Sequence, residues 1–248
     1  MTNAPDHLPD ILYHEGPCFV VNKPSGVLTQ AVAGVDSMEV RMKDYLRWKE
    51  NKTGRIYAVV THRLDRPVSG ALIFARHVRA ARRICDQFAG RLVGKTYWAL
   101  VEGDVAESSG TWRDTIRKVP GVARAEVVPT SHAEGRDAVL HFQKSFAAAT
   151  WTLLQIQLET GRTHQIRVQC AQRGHPLLGD DQYGSTFAFG QPAVDPRARA
   201  IGLHARELRF RHPMSRDPVK VVAPLPSVWG AFLPDTPEIN RSEMSGPP

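Results

Sequence analysis

The stretch WTLLQIQLE, residues 151–159, constrains the fold more than any other. Leu154, Ile156 and Leu158 alternate with Gln155, Gln157 and Glu159, a two-residue period that fits a half-buried strand. Other runs agree. CFVVNKP reads as a short buried strand closed by Pro24, and RIYAVVT, ALIFAR and KTYWALVEG as three more. AEVVP and AVLHFQKSF form a further strand-like pair, separated by the turn-rich TSHAEGRD. Strands arrive in runs without a helix between each pair. That order predicts an α+β fold with a large mixed, mostly antiparallel sheet, flanking helices and a central cleft.

Two segments carry helical signals. HVRAARRICDQFAG sets Val78, Ala81, Ile84, Cys85 and Phe88 on one stripe and Arg79, Arg82 and Arg83 on the other side, with Gly90 as the stop. TGRTHQIRVQCAQRGHP predicts a turn feeding a short helix, capped by Thr163 and ended by Gly174 and Pro176. No internal repeat or low-complexity block interrupts the chain. The polar start and the tail from Pro234 predict flexible ends, residues 1–10 and 234–248, around one domain over 11–233.

At 248 residues the chain can bury a full core. No apolar run is long enough to span a bilayer, and MTNAPDHLPD has neither a basic nor an apolar signal region. Cys18, Cys85 and Cys170 are scattered and odd in number, which suits a reducing compartment rather than a disulfide framework. The formal charge of +7 and a pI near 9.6 favour a polyanionic partner, nucleic acid above all.

Several chemistries are disfavoured. AGRLVGKT nearly spells a phosphate-binding loop, but Ala89 stands at the first glycine position and a helix precedes where a strand should. The ten histidines form no ligand set such as H-E-x-x-H, so no metal site is expected. Ser69 lies outside any G-x-S-x-G elbow.

HRLDRPVSG, residues 62–70, is different: Asp65 sits between Arg63 and Arg66 on a turn between two strands. Flanking guanidiniums favour an ionised carboxylate, fit for nucleophilic or electrostatic work rather than proton donation. The alternative is a surface ion pair of little consequence. An ordinary glycosidase would want a second acid nearby, and none is obvious. GRTHQIR, residues 161–167, offers Arg162 and Arg167 beside helix N-terminal N–H groups as an anion site, with His164 and Gln165 as further contacts. The alternative is a simple helix start with Ile166 packing inward. Tyr97, two residues after Lys95, is either a packing ring or a stacking platform for a base.

Together the segments ILYHEGPCFVVNKPSGVLTQ, HRLDRPVSGALIFAR, KTYWALVEG, GRTHQIRVQCAQRGHPLLGDDQYG and LHARELRFRHP resemble the RluA-type family of RNA pseudouridine synthases over about residues 11–225. The resemblance implies that Asp65 is catalytic, that Tyr97 lies against the target base and that Arg167 pairs with Asp65. It implies conversion of uridine to pseudouridine in tRNA or rRNA, without metal or organic cofactor, by attack on the anomeric carbon or by abstraction of a sugar proton. A cytoplasmic monomer with RNA as its partner, and with no membrane, is expected. A target base must leave its stack, and Arg63 is expected either to fill the gap or to contact phosphate. Arg66, Arg79, Arg82, Arg83 and Arg162 are expected to attract the RNA backbone. Departures from the family pattern are Val68 for a usual threonine and Gln169–Cys170 for a His–Leu pair. No accessory domain is expected, since the first motif begins near Ile11. The competing readings are a noncatalytic RNA-binding protein on the same scaffold and, more weakly, a small-molecule glycosidase or nucleosidase.

Overall fold

A computed structural model describes residues 7–233. Eleven strands form one sheet: β1 (Asp10–Glu15), β2 (Cys18–Lys23), β3 (Val59–Val60), β4 (Ser69–Ala75), β5 (Gly94–Glu102), β6 (Ser109–Lys118), β7 (Ala125–Val128), β8 (Arg136–Ala147), β9 (Trp151–Leu158), β10 (Leu203–Arg211) and β11 (Pro218–Val222). The α-helices among the described residues are α1 (Met38–Glu50), α2 (Val78–Ala89) and α3 (Gln165–Gln172). None of them is long and apolar enough to cross a membrane. The expected flexible segments fall largely outside the described residues, although β1 already begins at Asp10.

Spatial order along the sheet is β1-β2-β4-β10-β5-β9-β8-β6-β7, with β3 on β4 and β11 on β10. Every pairing is antiparallel except β4 with β10, which meet in parallel at Ser69–His204 and Gly70–Ala205. The α+β architecture and mostly antiparallel sheet are therefore as expected from the strand runs. At the parallel seam the backbones approach closely. Gly70 adopts φ +118°, and a Cβ there would stand 2.3 Å from the carbonyl oxygen of Ala205.

The first sheet half is covered on both faces, which explains why β2 and β4 read as continuous apolar runs. Phe19, Val21, Leu72 and Phe74 pack with Met38, Met42 and Leu46 of α1. Val20, Ile73 and Ala75 pack on the other side with Ala80, Ala81 and Ile84 of α2.

Three local expectations need correction. The buried stripe of α2 is Ala80, Ala81, Ile84 and Gln87, whereas Val78 and Cys85 are exposed. Gln87 goes inside because its amide closes on both backbone groups of Arg211, accepting at 2.8 Å and donating at 2.9 Å. RIYAVVT yields only the two paired residues of β3; Ile56 and Ala58 are held in the core without a ladder. Thr163 does not cap α3. His164 occupies the cap position, in left-handed backbone at φ 52°, and its side chain makes no cap hydrogen bond.

Candidate active site

The segment before β4 is fixed at several points, and each fixing residue lies far away in sequence. His62 accepts the Ile73 N–H on Nε2 at 3.1 Å and stacks on Phe88 at 4.7 Å. Leu64 is buried, and its backbone is clamped by Thr29: the hydroxyl accepts the Leu64 N–H at 3.2 Å and donates to the Leu64 carbonyl at 2.6 Å. Lys23, wholly buried, donates from Nζ to the carbonyls of Pro24, Val27 and Arg66 at 2.9, 2.7 and 3.1 Å. Burial pushes the Lys23 ammonium down to about 7, against the pull of nearby Asp65. A turn closed by the Val68 N–H on the Asp65 carbonyl, at 3.0 Å, completes the scaffold. Val68 points into the core, so the residue standing where the family usually has threonine serves packing.

Asp65 is left with its side chain about 30% exposed. Its neighbours come from α3. Arg167 Nη1 lies 3.5 Å and His164 Nε2 3.7 Å from Asp65 Oδ2. The guanidinium of Arg167 is almost fully buried: Nε and Nη2 donate to the two oxygens of Asp180 at 2.7 Å each, and the ring of Tyr183 underlies it at 4.9 Å. Burial opposes the charge on Arg167, but the Asp180 hydrogen bonds outweigh it and leave the group more basic than usual. His164 bonds the Tyr183 hydroxyl at 2.9 Å, and burial holds its imidazole below the usual range although Asp65 pulls the other way.

Tyr97 stands on β5, paired across the sheet with Ile156 and Ala205. Burial first, then the negative charge of Asp65, raises its phenol well above the ordinary tyrosine range. It is therefore a neutral ring with an O–H to offer. Asp65, Tyr97, His164 and Arg167 all line one cavity of about 790 Å³. Among the described residues, Arg63, Lys95, Lys118, Arg162 and Arg167 bring five cationic side chains to its wall, and Asp65 is its one carboxylate. That composition suits a polyanion and lacks the second acid a glycosidase would use.

The other nominated residues divide between the cavity wall and positions away from it. Arg66 donates to the Gly26 carbonyl at 2.8 Å and pairs with Asp195 at 2.5 Å, so it braces the loop rather than flanking Asp65 electrostatically. Gln165 is buried: its oxygen accepts from Thr160 Oγ1 at 2.8 Å and from the Arg162 N–H at 3.0 Å, and its nitrogen donates to Val139 at 3.1 Å. It shapes the turn into α3 in place of the expected threonine cap. Arg79 and Arg82 are exposed on α2 and do not line the cavity, and Arg83 donates to the Pro213 carbonyl at 2.8 Å. Arg63 is exposed and, among the described residues, forms no ion pair. Arg162 is also exposed, its Nε donating to the Asp137 carbonyl at 2.8 Å. Sequence reasoning passed over Asp180, Thr29 and Lys23; their only signal is a polar side chain within the segments VNKPSGVLTQ and LLGDDQYG.

Comparisons with known proteins bear on the family and the fold. The model of the RNA pseudouridylate synthase family matches residues 17–172. Ribosomal large subunit pseudouridine synthase D of Xylella fastidiosa is 34% identical over 232 residues, spanning 90% of this chain and 68% of the relative. The tRNA pseudouridine synthase C of Vibrio cholerae is 29% identical over 238 residues, spanning 90% of this chain and 94% of the relative. In fold, human RNA Pseudouridylate Synthase Domain Containing 1 superposes with a TM-score of 0.70 at 24% identity, over the full length of both chains. With motif order, fold and relatives in agreement, the chain belongs to the RluA-type family of RNA pseudouridylate synthases.

Proposed function

We propose that this protein isomerises uridine to pseudouridine in structured transfer or ribosomal RNA, with Asp65 as the catalytic group. The observation that carries the reading is the lone Asp65 carboxylate in a cavity walled by five cationic side chains, 3.5 Å from a buried arginine. Net isomerisation breaks the bond from N1 to the ribose, joins C5 to the same ribose carbon, and moves one proton from C5 to N1. It needs no electrons and no group donor, so no cofactor is invoked. A single carboxylate suffices either to attack the anomeric carbon or to abstract a sugar proton, because uracil leaves with little protonation. Tyr97 forms an apolar wall for the freed base with a phenol able to hydrogen-bond it. Arg63, Arg162 and His164 meet the RNA at the cavity, and Arg79 and Arg82 add long-range attraction to phosphate. The target nucleotide is turned out of its stack, at about a few kcal/mol, before it can reach Asp65. The relatives' names point to two RNA classes, and the reading admits either. It has the protein act as a monomer in the cytoplasm.

The test is complementation. Cells lacking the gene receive the wild type or Asp65→Asn, and pseudouridines are mapped across all RNA by chemical marking and primer extension. The wild type restores at least one site. In Asp65→Asn the rate at that site falls by about a thousandfold or more, equal to about 4 kcal/mol of barrier. Full restoration by Asp65→Asn would remove the aspartate from the mechanism.

A further inference from the structure

We propose that Asp180 is a positioning residue that divides the grip of Arg167 between two carboxylates and so leaves Asp65 free to react. The inference rests on the catalytic reading of Asp65. Asp180 lies just beyond α3, 1% exposed, and takes Nε and Nη2 of Arg167 on its two oxygens at 2.7 Å each. Such a fork-on-fork pair fixes both the plane and the rotation of the guanidinium. Gln182 Oε1 accepts the other Nη2 hydrogen at 2.9 Å, and the Tyr183 ring closes one face. Only Nη1 is left toward the cavity, where it stands 3.5 Å from Asp65 Oδ2 and 3.2 Å from His164 Nδ1.

The two carboxylates therefore share one cation unequally, tightly at Asp180 and loosely at Asp65. A separation of 3.5 Å is longer than a charge-assisted hydrogen bond of about 2.7–2.9 Å. A closed Arg167–Asp65 fork would stabilise the resting carboxylate, and ground-state stabilisation does not speed a reaction. Asp180 prevents that closure while keeping the cation near enough to steady charge as it moves. The other groups facing the pair are Lys23 from the end of β2, Tyr97 from β5, His164 from the cap of α3, Tyr183 after it, and Arg63 from the Asp65 loop. None of them substitutes for Asp180, because none takes the guanidinium by two nitrogens.

The experiment compares wild type, Asp180→Asn and Asp180→Glu on RNA isolated from cells lacking the gene, with kcat and KM determined separately and the urea midpoint measured alongside. In Asp180→Asn, kcat falls about tenfold or more while KM stays within about twofold. Its crystal structure shows Arg167 closed on Asp65 within about 3 Å. Wild-type kcat, a fall in kcat matched by a rise in KM, or an Arg167–Asp65 separation still at the wild-type value would each overturn the proposal. Should Asp180→Asn not fold, Asp180→Glu decides: the displaced fork lowers kcat at constant KM, and wild-type kcat refutes the role. If the wild type itself converts no RNA, the functional reading fails, and the crystal arm still decides whether Asp180 holds the two groups apart.

Discussion

Thr29→Val isolates the clamp on the loop that carries Asp65. Valine matches threonine in shape, so the change opens no cavity and removes only the hydroxyl that bonds the Leu64 N–H and carbonyl at 3.2 and 2.6 Å. Thr29 and Leu64 are 4% and 6% exposed, so water cannot replace the lost partner while the loop stays in place. Two buried backbone groups left unpaired cost about 1–3 kcal/mol each, about 2–6 in all. The loop has a cheaper escape: lifting Leu64 into water forfeits its burial, about 1.5–3 kcal/mol. The cheaper route sets the ceiling, so Thr29→Val should lose about 1.5–3 kcal/mol. The escape also carries Asp65 away from Arg167, so single-turnover conversion of RNA slows well beyond what a reduced folded fraction explains. Urea unfolding followed by tryptophan fluorescence reads the stability, with a midpoint shift of about 1 M for a chain of this size. Thr29→Ser, which keeps the hydroxyl, is the control and should behave nearly as wild type. If Thr29→Val unfolds within about 0.5 kcal/mol of wild type and reacts at the same rate, the clamp is not what holds the loop.

Two further changes test the frame around it. Gly70→Ala puts a methyl group 2.3 Å from the Ala205 carbonyl at a backbone angle alanine rarely adopts, so soluble yield and thermal midpoint should both collapse, a loss of about 3 kcal/mol or more; an ordinary melting curve would contradict the close approach. His62 is held down to about 3, mainly by burial and secondarily by Lys95, so the unfolded chain takes up a proton first. Its contribution is complete above about pH 6.5 and drains as the pH falls toward 3, amounting to at most about 2 kcal/mol lost by pH 5. His62→Gln should flatten the fall in urea midpoint between pH 6.5 and 5 by up to that amount, and parallel curves for the two proteins would refute the assignment.

The strand runs and the alternation of residues 151–159 were enough to foresee an antiparallel α+β sheet, because burial on one or both faces imprints a short period on sequence. β6 escaped notice for the same reason in reverse: Trp112, Thr115 and Ile116 are its buried residues, scattered among charged ones, and its place comes from pairing with β8. Around the site, motif order located the loop, strand and helix that line the cavity. What it did not disclose was which polar side chains turn inward. Arg66 and Gln165 look like ligand-binding groups in one dimension and prove to be braces. Asp180, Thr29 and Lys23 look unremarkable, yet each is buried against a partner at least thirteen residues away or against several carbonyls at once. Periodicity records burial of apolar faces; it is silent on long-range polar pairing.

The place of β10 bears on how the molecule comes into being. It lies between β4 and β5, so a growing chain cannot join its first four sheet strands to the rest until residues 203–211 have emerged. Asp65 and Tyr97 ride on opposite sides of that gap, one leading into β4 and the other on β5. During synthesis the candidate site is thus assembled late, and it forms through contacts of long sequence separation, the kind that close slowly. A nascent protein halted before β10 would carry both Asp65 and Tyr97 without the strand that brings them to one cavity.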